Sequence, residues 1–137
     1  MFTKPLERKH PMAKVKVTFE NITITNNGEG SGKGELYWLF QVDGETVNQR
    51  NVSNAQKAAD GESIALGSSR QVTKSPGQNL TVYGSVSEKD DLSKDESNFF
   101  SDSFKPSDNW GANGGTYKRR IADRKLDVTV SYRIDLV

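Results

Sequence analysis

An all-β fold, a single antiparallel β-sandwich of about eight strands, is what this sequence predicts, and three observations carry the prediction. Segments of strict period-two alternation recur along the chain, glycine- and asparagine-rich turn signals separate them, and no strand–helix–strand rhythm of a parallel sheet is present. At 137 residues the chain fits one domain, long enough to bury about two-thirds of its unfolded surface in one core. An apolar fraction of 33% with 12 glycines favours loops and short strands over long helices.

The elements follow in chain order. Val15, Val17 and Phe19 alternate with Lys16, Thr18 and Glu20, and apolar residues then resume at Ile22 and Ile24. That one-residue slip of phase predicts a bulge near Glu20 and Asn21, or a strand crossing between two sheets. Residues 26–34 hold four glycines within the seven positions 28–34 and form a loop. It is not a phosphate loop, because Lys33 is followed by Gly34 and strand residues instead of Ser or Thr and a helix. Leu36, Trp38, Phe40 and Val42 then share one side of a strand, and Asp43-Gly44 signals a type I′ hairpin into a weaker edge strand over 45–49.

Residues 50–61 predict the one short helix, a turn or two around Ala55 to Ala59, capped by Ser53 or Asn54 and closed at Gly61. Residues 62–66 and 70–74 predict two short strands about Gly67-Ser68-Ser69. Leu80, Val82, Gly84 and Val86 line one side of the next strand, which runs into a dense acidic segment. Phe99, Phe100 and Phe104 mark a further strand, 106–115 a long loop, and Leu126, Val128, Val130, Tyr132, Ile134 and Leu136 a central strand with one buried face.

Charge and composition exclude several functions. The net charge of +1 gives no global field for nucleic acid, which is not an expected partner. Locally the chain is dipolar: residues 88–102 carry six acids against Lys89 and Lys94, while 118–125 carry five basic residues against Asp123. With no cysteine and a lone His10, disulfides, thiolate metal sites, a nucleophilic triad and zinc chemistry have no residues to work with, so an enzyme is not expected. Residues 1–13 are basic and broken by proline, a natural tail or an expression remnant, and 14–137 form the domain. The absence of an apolar leader core or membrane-length span predicts a protein that is cytoplasmic or released by a route other than a signal peptide.

The sharpest chemistry lies in Glu88-Lys-Asp-Asp-Leu-Ser-Lys-Asp-Glu96, where Glu88, Asp90, Asp91, Asp95 and Glu96 put five carboxylates into nine positions. Ca2+ takes six to eight such oxygens in a tolerant geometry that suits a loop, and it turns mutual repulsion into cohesion. An EF-hand does not fit: counted from Asp91, Glu96 stands where the turn glycine belongs, and Asp102 where the bidentate glutamate belongs.

Val82 to Glu96 resembles the third calcium loop of C2 domains, in which a strand meets a first acid, a second acid two residues on, and a later acidic pair. Here these would be Glu88, Asp90, and Asp95 with Glu96. The resemblance implies a C2-like sandwich, an immunoglobulin-like one being the other architecture compatible with the strand pattern. It further implies Ca2+ as cofactor, and an anionic lipid surface as partner into which Phe99 or Phe100 would dip. Two departures stand out: the family usually places aspartate where Glu88 stands, and residues 26–34 offer only Asn26, Asn27 and Glu29 where the first loop supplies aspartates.

Two other readings have residues behind them. Trp110 sits among Asp108, Asn109 and Asn113 in a polar, glycine-rich loop, the makeup of a lectin-like platform for a glycan. Outward Tyr37, Leu39 and Tyr83 suit contact with a protein neighbour, as in a structural subunit of a bacterial or viral assembly.

Overall fold

Period-two alternation fixes which side of each strand is apolar, and two antiparallel sheets bring those sides together. The computed structural model describes residues 12–28, 34–89, 99–123 and 125–137. Among these described residues there are nine strands: β1 (Ala13–Asn27), β2 (Gly34–Val42), β3 (Glu45–Arg50), β4 (Gln56–Ala58), β5 (Ser63–Lys74), β6 (Leu80–Glu88), β7 (Phe99–Phe104), β8 (Thr116–Ala122) and β9 (Leu126–Leu136). The first sheet has the order β5-β1-β9-β8 and the second β3-β2-β6-β7, with β4 continuing the β3 edge beside β2. Among the described residues no helix is long and apolar enough to cross a membrane.

The phase slip in β1 is a bulge. Between Phe19 and Asn21 the strand advances two residues while β9 advances one, from Tyr132 to Ser131, and β5 advances three, from Ser68 to Ala65. Glu20 is therefore surplus against β9, and a residue of β5 is surplus against β1. Gly67 takes that second bulge at φ +59°, a left-handed conformation suited to glycine, so the two short strands expected over 62–74 are one continuous strand. Because of the slip, Val15, Val17, Phe19, Ile22 and Ile24 are all buried.

The Asp43-Gly44 turn has positive φ at both residues, as a type I′ turn requires. The helix expected around Ala55 to Ala59 is absent. A 3-10 turn over Val52–Asn54 leads instead into β4, where Gln56, Lys57 and Ala58 pair with Leu36, Glu35 and Gly34. A helix of one or two turns is marginal alone, whereas the free flank of β2 offers ladder partners and a buried place for Ala58.

The core joins both sheets. Phe19 stacks on Phe40 at 5.0 Å between centroids, and Tyr132 lies against Phe100 at 5.8 Å and Tyr117 at 5.2 Å. Gly84 is required where these rings crowd the sheet, since a Cβ there would stand 2.5 Å from Phe100 Cε2 and 2.7 Å from Phe40 Cδ1.

One end of the sandwich is closed by specific bonds. Lys74 Nζ meets Asp43 Oδ2 at 2.9 Å, and Asp43 Oδ1 accepts the Thr81 N–H at 3.0 Å. Trp110 seals the same end, its indole N–H donated to the Gln78 carbonyl at 2.7 Å.

Candidate functional site

The opposite end gathers the β1–β2, β4–β5, β6–β7 and β8–β9 connections. Asn27 lies opposite Leu126, Gly34 opposite Ala58, Leu36 opposite Glu88, and Ala122 opposite Asp127, so all four links leave the sandwich on the same side.

Glu88 is the last residue of β6 and continues the inward phase of Leu80, Val82, Gly84 and Val86. Its carboxylate side chain is thereby turned between the sheets, exposed to only 6%. The start of the β1–β2 connection packs on it: a Cβ at Gly28, whose φ is +88°, would come 3.3 Å from Glu88 Cγ. The strand end is pinned by the Lys89 N–H, which donates to the Glu35 carbonyl at 2.7 Å.

Asn26 and Asn27, the amides expected to help line a first loop, serve the backbone instead. Asn26 Oδ1 accepts the Gly28 N–H at 2.9 Å, and buried Asn27 donates its Nδ2–H to the Ala58 carbonyl at 3.0 Å. The Asn27 N–H donates to Asp60 Oδ1 at 2.8 Å, which ties the β4–β5 connection to this end. Asp60 is an acid that sequence reasoning missed, because its neighbours in the chain suggested a helix cap.

Asp90, Asp91, Asp95 and Glu96, with Glu29, lie outside the described residues. Among the described residues no group of three or more acidic or histidine side chains is close enough to hold a metal ion.

Two arginines of the basic segment are engaged within the fold. Arg119 lies 3.2 Å from Asp102 and over the Phe100 ring, while the Tyr132 hydroxyl donates to the other Asp102 oxygen at 2.5 Å. Burial, reinforced by that bond, holds the Tyr132 proton far above the ordinary phenol range. Arg120 forms a fork on Asp127 with contacts of 3.0 and 2.8 Å, and its hydrogen bonds hold the Asp127 carboxyl below its usual range.

The proposed stacking platform at Trp110 is corrected by its surroundings. Trp110 is 7% exposed and belongs to the core, at φ +53° beside Asn109 at φ +54°. The Asn109 carbonyl accepts the Ala112 N–H at 2.9 Å, the Asp108 N–H donates to Lys105 O at 3.0 Å, and the Asn113 N–H donates to Ile134 O at 2.8 Å. Asp108, Asn109 and Asn113 thus lie on a turn whose central ring faces inward. Of the adjacent phenylalanines, Phe99 is exposed at 51% and Phe100 buried, the alternation a strand imposes.

Fold and geometry define a two-sheet antiparallel β-sandwich with four connections gathered at one end. No protein-family model matches the chain, and no curated protein matches it. C2 domains stand among the solved structures similar to it. Human GIVD cytosolic phospholipase A2, in complex with a methyl gamma-linolenyl fluorophosphonate inhibitor and terbium chloride, matches over 92% of this chain at 11% identity with a TM-score of 0.48. The chain spans 18% of that phospholipase chain. A C2 domain protein from Ramazzottius varieornatus matches over 90% of this chain and 92% of its own, at 11% identity and a TM-score of 0.38. The paired C2 domains of Extended-Synaptotagmin 2 match over 97% of this chain and 44% of theirs, at 15% identity and a TM-score of 0.42.

Proposed function

We propose that this chain is a non-catalytic binding module that takes up Ca2+ through Glu88, Asp90, Asp91, Asp95 and Glu96 and uses the ion to engage an anionic lipid surface or a protein partner. The supporting observation is the placement of Glu88. A glutamate in phase with core residues directs its carboxylate into the mouth between the sheets, and four further acids follow within eight residues of sequence. Hard cations are bound by such oxygen sets, and a divalent ion offsets the repulsion that crowding imposes. Asp60, bonded to the backbone of Asn27, brings an acid from a second connection to this end of the sandwich.

Thermal melting in calcium, in magnesium and in chelator tests the first step. Calcium at a hundredfold excess over its dissociation constant raises stability by about 2.7 kcal/mol, and replacing Glu88 with Gln together with Asp90→Asn abolishes the rise. Isothermal titration without heat up to millimolar calcium would refute it. Co-sedimentation with phosphatidylserine vesicles, dependent on calcium and lost in the same variant, tests the second step.

A further inference from the structure

We propose that the outer side of the second sheet is a binding site for a neutral oligosaccharide. This site borders the acidic end, its Ser87 directly preceding Glu88, but it opens on the outer side of the sheet and does not depend on the calcium reading. A depression of about 460 Å³ opens there, floored by Tyr37 and Leu39 of β2 with Ser85 and Ser87 of β6, and walled by the turn that follows β3. The wall is held in place by Arg50, whose guanidinium lies 5.5 Å from the centroid of the Trp38 ring and donates to the Asn54 carbonyl at 2.9 Å. The volume falls within the ordinary range of small-ligand sites, about 300–1,000 Å³.

The chemistry of the lining selects the ligand. From Tyr37 to Gln41 on β2 and from Thr81 to Ser87 on β6, the outward side chains are tyrosine, leucine, glutamine, threonine and serine, without one charge. The outer side of the first sheet is the opposite, with Arg133 bridging Glu20 and Asp135, and Arg120 joined to Asp127. An anionic ligand would meet only Arg50, on the wall and already stacked on Trp38. A peptide cannot add here as a strand, because β2 and β6 are inner strands whose ladders are occupied on both flanks. A stable protein interface needs about 800 Å² on each partner, more than so small a depression supplies. A pyranose matches the lining: its C–H face suits an aromatic and aliphatic floor, and its hydroxyl rim suits serine hydroxyls and the Gln49 and Asn51 amides of the wall.

The surface also continues beyond one sugar ring. Gln49, Leu39, Ser85 and Phe99 stand in one cross-strand row, and exposed Phe99 stacks on Tyr83 at 5.8 Å. With about 4.8 Å between strands, the row from β2 to β7 spans about 10 Å, room for consecutive units.

The test is isothermal titration of the whole chain with neutral oligosaccharides of glucose, xylose, mannose, galactose and N-acetylglucosamine in α and β linkages. At least one binds with a dissociation constant below millimolar. Tyr37→Ala weakens it about tenfold, and Ser87→Tyr, which fills the depression from an outward position, abolishes it. Glu88→Gln binds equally well, which separates this site from the acidic end. Melting curves verify that the variants fold. Lack of binding by every sugar at millimolar concentration overturns the proposal, as does binding that survives Ser87→Tyr. Self-association in light scattering that Phe99→Asp abolishes also overturns it, by assigning the face to a second copy of the chain.

Discussion

The two ends of the sandwich treat charge in opposite ways. At the closed end a lysine side chain exposed to only 8% is matched by one aspartate, whose second oxygen holds a backbone N–H, and an indole plugs what remains. At the other end, five carboxylates follow one another within nine residues with only two lysines among them. The contrast teaches a division of labour. One end spends its polar groups on holding the sheets together, and the other adds to its bonds at Asn27 and Asp60 a run of acids dense in sequence.

Substitutions can break this contrast, and the largest effect is expected at the plug. Trp110→Ala removes a buried ring and costs about 3–4 kcal/mol, read as a lowered denaturant midpoint with unchanged calcium response. Asp43→Ala comes next. It leaves the Lys74 ammonium nearly buried without its carboxylate, and because Asp43 itself is 25% exposed, the cost is about 2 kcal/mol, below the full range for a buried pair.

Between the ends, Tyr132→Phe loses the bond to Asp102, about 1 kcal/mol. It also changes the alkaline limb. The folded-state pKa of Tyr132 is raised above the unfolded value, so the contribution of its proton is complete below about pH 10 and is lost as pH rises beyond it. Urea midpoints of the wild type should therefore fall more steeply above about pH 10 than those of the phenylalanine variant. The smallest effect is expected at the acidic end. Neutralising Asp90, Asp91, Asp95 and Glu96 together shifts stability in chelator by about 0.5 kcal/mol or less for each residue, since the calcium reading assigns these side chains to the ion. The same variant loses the calcium-dependent rise in melting temperature.

Much of the fold was legible because alternation reports burial directly. The slip between Phe19 and Ile22, the inward sets of β2, β6 and β9, and the Asp43-Gly44 turn all carried their structure in local pattern. Three features escaped because neighbours distant in sequence decide them. Gln56 to Ala58 became a strand through the open flank of β2, which outweighs the helix propensity of the three alanines at 55, 58 and 59. Gly67 looked like a break between strands, yet a bulge against β1 lets the strand run through it. Trp110 looked like a platform because its loop is polar, but the open end of the core sits beneath it. At the acidic end, the inward aim of Glu88 was readable as one more step of the Leu80 to Val86 alternation, whereas the bond from Asn27 to Asp60 joins residues 33 apart and left no local trace.

The paired bulges make β1 tolerant at position 20. Exchanging Glu20 for another polar side chain would take one carboxylate from Arg133 and leave it the other, on Asp135. Losing it altogether would restore strict alternation from Val15 to Ile24 and a one-to-one register with β9, so that Ile22 and Ile24 keep their inward aim and the mismatch falls on β5, which would then carry two surplus residues. Descendants of this chain can thus drift in composition at that site, and shed it altogether only where β5 shortens in step.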